Sequence, residues 1–150
     1  MGFIHPGTIY TFKLGGDAEF PEKLPAFEHP LTTIRDNASP DQIGNGFTVF
    51  SRFCISCHPM PGAGHASIPD LARSTDAILE NYNQILFEGT FASEGMPSFE
   101  GMITEDEIQD LKSFIYYSAQ AVEDKMAPND YLTSIAQMQY LADQKLLLKD

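Results

Sequence analysis

Apolar residues recur every three or four positions in several stretches of the chain, and the first of these stretches opens on residues that favour the start of a helix. Ser39 can cap a first turn, Pro40 suits that turn, and Gln42 completes a capping box. The apolar positions that follow at helical spacing are Ile43, Gly46, Phe47 and Phe50. The sequence therefore predicts a helix that begins near Ser39 and runs into Cys54.

A middle helix is predicted to start at Ser74 or Thr75, whose hydroxyl groups can cap it, and to stop at Gly89. Asp76 would lie in the first turn, where the helix dipole favours a negative charge. The apolar positions expected along this helix are Ile78, Tyr82, Ile85 and Leu86. A loop is expected to follow it.

Two further helices are predicted in the last third of the chain. Thr104 and Glu107 form a second capping box, and the helix that they start should bury Ile108, Leu111, Phe114 and Ile115. A final helix is predicted between Asn129 and Leu147. Its expected apolar stripe consists of Tyr131, Ile135, Met138 and Leu141.

The first and third helices are expected to pack closely at Gly46, which lies one turn before Phe50. A glycine at that position lets another helix approach, and Leu111 and Phe114 are the predicted partners of Gly46 and Phe50. The alternative is a glycine that is merely tolerated in a helix, at a cost of about 1 kcal/mol relative to alanine.

The first 38 residues carry a different pattern. Residues 7–16 contain four consecutive good strand formers and end on two glycines, so they are predicted to form one strand. A single strand needs a partner strand, which we expect to lie outside this chain. Residues 17–38 contain three prolines among mixed charges and are predicted to be an extended linker.

Length and charge limit the possible functions. A chain of 150 residues with 43% hydrophobic residues suggests one domain with extensions. The net charge of −12 argues against nucleic acid as a partner, and no apolar run is long enough to predict a transmembrane segment. The first residues lack the basic start and apolar core of a signal peptide.

Cys54 and Cys57 are the only cysteines of the chain, and His58 follows the second one directly. This is the spacing for covalent haem attachment, in which each thiol forms a thioether bond with a haem vinyl group and the imidazole binds the iron. Covalent attachment normally takes place outside the bacterial cytoplasm. We therefore expect a periplasmic or secreted protein, and the chain to be a piece of a larger exported polypeptide.

Other uses of the two cysteines fit less well. A thioredoxin-like redox pair expects a βαβ context, and an iron–sulfur cluster normally takes four thiolates. A structural zinc site needs four ligands, of which His65 could supply one only at unusual spacing. A disulfide between Cys54 and Cys57 would close a small, strained ring.

A sixth iron ligand is needed unless that site is kept open for a substrate. Met96 is the better methionine, because Gly95 lets the backbone come close to the macrocycle and Pro97 stiffens the loop. Met102 and His65 are the alternatives, and core filling is the commoner use of methionine. The remaining histidines, His5 and His29, fall outside the predicted domain.

Further residues are candidates for contacts with the haem and its ligands. A carbonyl group, offered by Pro69, would accept a hydrogen bond from the second ring nitrogen of His58. Arg73 is predicted either to pair with a haem propionate or to be a solvated surface residue. The apolar shell is expected to consist of Phe47, Phe50, Leu71, Phe91 and Phe99.

The pattern Gly46-x-x-x-Phe50-x-x-x-Cys54-x-x-Cys57-His58 resembles class I cytochromes c, as do Pro69-Asp70-Leu71, Gly95-Met96-Pro97 and the helix with Leu111 and Phe114. The resemblance covers about residues 39–121. It implies a small all-α class I cytochrome c fold around one covalently bound haem c, with His58 and Met96 as axial ligands.

A narrower resemblance extends from Gly95 to Ile108, and it is to the C-terminal cytochrome c domain of quinohaemoprotein dehydrogenases. In that family a propeller domain binds pyrroloquinoline quinone (PQQ) and oxidises an alcohol or a related substrate. The resemblance implies that residues 1–16 contain the last propeller strand, 17–38 the linker and 39–121 the cytochrome domain. Residues 122–150 form a longer C-terminal extension than that family leads us to expect.

These observations predict an electron-transfer domain without substrate chemistry of its own. Its haem c would accept single electrons from reduced PQQ in a partner propeller domain and pass them to an external cytochrome, copper protein or quinone. Glu94 and Glu100 flank the proposed Met96 loop, so a partner that docks there should be basic or largely apolar. The alternatives are a free-standing soluble cytochrome c, and a haem enzyme or sensor with an open sixth site.

Overall fold

The computed structural model describes residues 29–63 and 68–147, together with residues 11, 13–17 and 19. These residues form four α-helices: α1 at Pro40–Phe53, α2 at Asp76–Glu80, α3 at Glu105–Glu123 and α4 at Pro128–Leu147. Short 3-10 turns occupy Leu71–Arg73 and Ala92–Glu94, and a π-helical turn occupies Gln84–Glu88. No strand occurs in the described part of the chain, so the expected all-α class is confirmed there.

The predicted strand at residues 7–16 lies mostly outside the described residues. Within it, Gly16 N–H donates to Lys13 O at 3.0 Å and closes a turn around Leu14 and Gly15. The division of the chain at 16, 38 and 121 stays a prediction, although α3 continues past residue 121 to Glu123.

Helix α1 begins as predicted. The Ser39 hydroxyl accepts from Gln42 N–H and the Gln42 side chain accepts from Ser39 N–H, which completes the capping box, and Pro40 is the first helical residue. The helix ends at Phe53, and Cys54 N–H donates to Phe50 O at 2.8 Å. The cysteine is thus carried directly on the last turn of a capped, regular helix.

Helices α1 and α3 meet at Gly46, as the sequence predicted. A Cβ atom at residue 46 would lie 2.8 Å from the Cβ of Phe114 and 2.5 Å from the carbonyl carbon of Asp110, so only glycine allows this approach. The Phe114 ring packs against Phe47 and Phe50, with both ring centroids 5.5 Å away. This crossing forms the centre of the core, where Phe50 and Phe114 are fully buried.

Helix α4 packs back on α1 through a second glycine. A Cβ atom on Gly44 would lie 2.5 Å from Met138 O, so the two helix backbones are in contact. The predicted stripe on α4 is correct for Tyr131, Ile135 and Met138, which belong to or contact the core. Leu141 was placed in it wrongly: it is 42% exposed, and its neighbour Ala142 is buried instead.

The predicted middle helix was wrong in its continuity. Helix α2 ends at Glu80, because the Asn81 side chain donates to Ala77 O at 2.7 Å and competes for a carbonyl of the last turn. A π-helical turn at Gln84–Glu88 follows, and Gly89 ends it in the left-handed conformation at φ 68°. The start at Thr75 and the stop at Gly89 agree with the prediction.

Residues 29–38 have no regular secondary structure, as predicted for a linker, yet they are bound to the helical domain. Their contacts are Thr32 N–H to Ala72 O at 2.9 Å, Arg35 to Glu123 at 2.5 Å, and Ser113 Oγ to Asp36 at 2.6 Å. This segment therefore belongs structurally to the helical domain. Within the described ranges, none of the helices is both long enough and apolar enough to cross a membrane.

Candidate functional site

The segment from Cys54 to His58 forms a compact turn at the end of α1. The carbonyl of Cys54 accepts from Cys57 N–H at 3.0 Å and from His58 N–H at 2.8 Å. The turn brings both thiols and the imidazole to the same end of the helix. Cys54 is buried, whereas Cys57 is exposed.

The Cys54 thiol lies in an apolar environment. Burial raises its pKa to about 11, and the nearby Cys57 adds to this shift. Cys54 belongs to the same buried cluster as Phe50 and Phe114. A group covalently attached to its sulfur atom would therefore enter the apolar core and not the solvent.

His58 is held by the carbonyl predicted from the sequence. Its Nδ1 atom lies 2.8 Å from Pro69 O, a hydrogen-bond distance. Since a carbonyl oxygen can only accept, Nδ1 carries the proton and the lone pair lies on Nε2. Nε2 is thus the atom available to a metal, and the hydrogen bond fixes the orientation of the ring.

Asp70, which entered the sequence prediction only as part of the motif Pro69-Asp70-Leu71 and with no role of its own, fixes the backbone next to Pro69. Its buried carboxylate accepts from Gly62 N–H at 2.9 and 3.0 Å and from Ala72 N–H at 2.9 Å. The loop after His58 and the turn after Pro69 are therefore joined through one side chain. An aspartate before a helical turn is a known capping pattern, and this was the available sequence clue.

Of the two predicted roles of Arg73, the structure disagrees with the solvated surface residue, and the pairing with a haem propionate stays a prediction. One guanidinium nitrogen donates to the backbone carbonyl of His29 at 2.5 Å, so the side chain is not simply solvated. Its Nε atom is buried without a hydrogen-bond partner in the described part of the chain. A buried donor without an acceptor is costly in a folded protein, and an anionic group bound at this site would satisfy it.

Tyr82, predicted as an apolar position of the middle helix, has a second buried polar atom of this kind. The side chain is 4% exposed, and its hydroxyl lacks a completed hydrogen bond among the described residues although Ser74 lies beside it. Burial raises the pKa of this phenol, and the proximity of Cys54 contributes. Tyr82 is therefore a neutral donor close to the Cys54 thiol.

The apolar residues predicted around the site all contact the buried core. Phe50 is fully buried, and Phe47, Leu71, Phe91 and Phe99 are half-buried against the same cluster. The Phe99 ring meets the ring of Phe53 edge-on at a centroid distance of 5.8 Å. Residues from α1, from the turn after Asp70 and from the loop before α3 therefore share one apolar region.

Met96 lies in the loop between the π-helical turn and α3, half-buried against the core. Gly95 adopts a positive φ of 96° just before it, and Met96 N–H donates to Phe91 O at 3.2 Å. Met102, the alternative, is 59% exposed. His5 and His65 lie outside the described residues.

The chemistry of these residues fits haem c. The two thiols, three positions apart, suit the vinyl groups of haem. The imidazole, whose Nε2 is available, and the thioether suit the iron. The buried donors on Arg73 and Tyr82 suit anionic propionates. When bound, haem supplies one-electron redox chemistry; the roles of individual residues stay predictions.

Known proteins match this chain in sequence and in fold. Residues 41–115 match the family model described as cytochrome c oxidase, cbb3-type, subunit III. The chain is 37% identical over 124 residues to the 1-butanol dehydrogenase (cytochrome c) of Thauera butanivorans, which covers 80% of this chain and 17% of that protein. It is 30% identical over 82 residues to cytochrome c6 of Petalonia fascia, which covers 52% of this chain and 94% of that protein.

A solved structure agrees with these matches. The quinohemoprotein alcohol dehydrogenase of Comamonas testosteroni superposes with a TM-score of 0.58 at 28% identity, over 77% of this chain and 16% of that one. The chain thus spans about a sixth of the length of the dehydrogenases that it matches. The predicted class I cytochrome c fold is confirmed, and the chain belongs to the cytochrome c family as an electron-transfer domain related to the cytochrome domains of quinohaemoprotein alcohol dehydrogenases and to cytochrome c6.

Proposed function

We propose that this domain carries single electrons through one haem c attached to Cys54 and Cys57, with His58 and Met96 as the axial ligands of the iron. The observation that carries the proposal is the hydrogen bond from His58 Nδ1 to Pro69 O at 2.8 Å. It leaves Nε2 as the ligating atom and holds the ring beside the two thiols. A packing histidine would not need this combination of neighbours.

The protein supplies orientation and a low-dielectric environment. Asp70 fixes the backbone on both sides of the His58 hydrogen bond by accepting from two N–H groups, those of Gly62 and Ala72. Phe50, Leu71 and Phe99 exclude water from the region around Cys54. Thioether ligation by Met96 and an apolar surrounding both stabilise the reduced state of the iron, and Arg73 would hold a propionate through its buried Nε.

We further propose that the electron donor is reduced PQQ in a propeller dehydrogenase domain of the same polypeptide. Support comes from the relatives named as a 1-butanol dehydrogenase (cytochrome c) and a quinohemoprotein alcohol dehydrogenase, of which this chain matches about a sixth. The acceptor would be an external cytochrome, copper protein or quinone. Since haem is attached covalently outside the bacterial cytoplasm, the domain would work in the periplasm or after secretion.

A free-standing electron carrier is the second candidate. Cytochrome c6 of Petalonia fascia is matched over 94% of its length, so a protein little larger than the haem-binding part of this chain is a complete cytochrome. The two proposals share the haem site and differ only in the electron donor. A preceding dehydrogenase domain in the same gene supports the first and excludes the second.

Stopped-flow spectroscopy tests the donor. The matured protein, encoded by the complete gene, is mixed with a primary alcohol, and haem absorption is followed during the first turnover. We expect the haem to become reduced at a rate no slower than alcohol oxidation. A haem that stays oxidised while alcohol is consumed would exclude PQQ as its donor. That outcome would leave the proposed haem attachment unaffected, because the absorption spectrum of the haem tests it separately.

A further inference from the structure

We propose that Ser98 is a positioning residue, which holds the loop of Met96 closed by capping the π-helical turn at Gln84–Glu88. The inference rests on the proposed function, because it takes Met96 as an iron ligand. Ser98 lies two residues after Met96, is exposed and was assigned no role by the sequence. Its contacts connect the loop of Met96 to the π-helical turn.

The last carbonyl groups of a helix have no partners within that helix and must be satisfied from elsewhere. Here Gly89 ends the π-helical turn in the left-handed conformation, at φ 68°. Two of the terminal carbonyls are then capped by the loop after Met96. Phe99 N–H donates to Leu86 O at 2.6 Å, and the Ser98 hydroxyl donates to Phe87 O.

The Ser98 hydroxyl also closes the loop on its other side. It accepts from Glu100 N–H at 3.2 Å while it donates to Phe87 O. Pro97 has no N–H of its own and a fixed φ, so the backbone between Met96 and Ser98 has little freedom. One hydroxyl therefore connects residues 98–100, which follow Met96 closely, to the π-helical turn.

The loop is held on the other side of Met96 as well. Met96 N–H donates to Phe91 O at 3.2 Å. At Ser98 the loop also approaches Gly89 closely: a Cβ atom on Gly89 would lie 3.2 Å from the Cβ of Ser98. Contacts therefore hold the loop on both sides of Met96. Among them, only the two hydrogen bonds of the Ser98 hydroxyl depend on a side chain.

Loss of the Ser98 hydroxyl should favour the open loop, in which Met96 leaves the iron. One net hydrogen bond changes an equilibrium constant about five-fold. An external ligand that competes for the same iron position reports this equilibrium, because it binds only when the loop opens. Imidazole is a suitable probe.

The experiment is a titration of the oxidised, haem-loaded protein with imidazole, followed by the sulfur-to-iron charge-transfer band. Ser98→Ala should bind imidazole about five-fold more tightly than the wild type. Ser98→Thr keeps the hydroxyl and should restore the wild-type affinity. Ser93→Ala is the matched control, because Ser93 is an exposed serine of the same loop outside the contacts described above.

Hydrogen exchange supplies a second readout that does not depend on an added ligand. The Phe99 amide, which donates to Leu86 O, should exchange about five-fold faster in Ser98→Ala. The amides of α3 should exchange at unchanged rates, which separates loop opening from general destabilisation. Equal acceleration throughout α3 would overturn the positioning role.

The outcomes separate this inference from the proposed function. A wild-type protein with the charge-transfer band, whose Ser98→Ala variant binds imidazole like the wild type, overturns the role of Ser98 alone. A wild-type protein without that band overturns Met96 as the ligand, and the inference with it. Tighter imidazole binding in Ser98→Ala, restored in Ser98→Thr, supports both.

Discussion

His58 Nδ1 and Pro69 O lie 2.8 Å apart, although eleven positions separate the two residues in the chain. Asp70 maintains this contact, because its carboxylate binds Gly62 N–H and Ala72 N–H on either side. The imidazole is therefore oriented by a backbone group whose own position depends on a buried charge. This arrangement makes Asp70 the first residue to test.

Asp70→Asn should lower the free energy of unfolding by about 2 kcal/mol, because an amide nitrogen, itself a donor, would replace the oxygen that lies 3.0 Å from Gly62 N–H, and the negative charge would be lost. Urea denaturation of the haem-loaded protein measures this. Asp143→Asn is the matched control, since Asp143 is an exposed carboxylate on α4. Equal stabilities of the two variants would show that Asp70 has no anchoring role.

Gly46→Ala should destabilise the domain by about 3 kcal/mol, because the added methyl group would collide with the backbone of Asp110 and the Cβ of Phe114. Thermal unfolding followed by circular dichroism gives the change. Ser51→Ala serves as the control on the same helix: its buried hydroxyl has no partner in the described chain, so its loss should be neutral or slightly stabilising. A Gly46→Ala variant as stable as the wild type would contradict the helix crossing.

The domain should lose stability at alkaline pH because of Tyr131, which lies on α4. Burial raises the pKa of this phenol to about 12, with a smaller contribution from Tyr117, although its hydrogen bond with Ser118 lowers it. An unfolded tyrosine titrates near about 10, so the contribution of Tyr131 is complete below that pH and is lost as the pH rises towards about 12. The loss should be on the order of 2 kcal/mol.

Urea midpoints measured from neutral pH to about pH 12 test this alkaline loss. Tyr131→Phe should flatten the decline, since phenylalanine cannot ionise. Tyr140→Phe is the control, because Tyr140 lies on the same helix and is 62% exposed. An unchanged alkaline decline in Tyr131→Phe would refute the assignment to Tyr131.

Met96→Ala should remove the sulfur-to-iron charge-transfer band and lower the reduction potential, because a thioether ligand raises the potential of haem iron. Met102→Ala should leave both unchanged, since Met102 is 59% exposed. Absorption spectroscopy and a potentiometric titration measure the two properties. Loss of the band in Met102→Ala alone would transfer the ligand role to that residue.

Electron transfer to a basic acceptor should slow as the salt concentration rises. Glu94 and Glu100 are exposed on either side of Met96, and the whole chain carries a net charge of −12. Screening of these charges weakens the attraction that steers the acceptor. At low salt the rate should be lower in the Glu94→Gln, Glu100→Gln double variant than in the wild type. A wild-type rate that is independent of salt would exclude charge-steered docking at this loop.

The sequence predicted the parts of the fold that depend on local patterns. The capping boxes at Ser39 and Thr104 were found because each is specified by residues three positions apart. The close approach at Gly46 was found because a glycine one turn before Phe50 marks where another helix can come near. The contact of His58 with Pro69 was predicted from general histidine chemistry. In motifs of this kind the residue types themselves specify the local structure.

The sequence could not reveal breaks that keep the helical pattern, or features that depend on packing between distant segments. The break after Glu80 and the π-helical turn are compatible with an uninterrupted helical pattern, so periodicity alone did not distinguish them. The apolar pattern assigned Leu141 to the buried stripe, whereas the folded chain exposes Leu141 and buries Ala142. Asp70 and Ser98 bind backbone groups that only the folded chain brings near them.

The most direct test of the account is a pyridine haemochrome spectrum of matured protein after denaturation. We predict a spectrum of thioether-linked haem that stays with the polypeptide, at one haem per chain, and that is lost when Cys54 and Cys57 are both replaced by alanine. A colourless protein, or haem that separates from the chain on denaturation, would contradict the account.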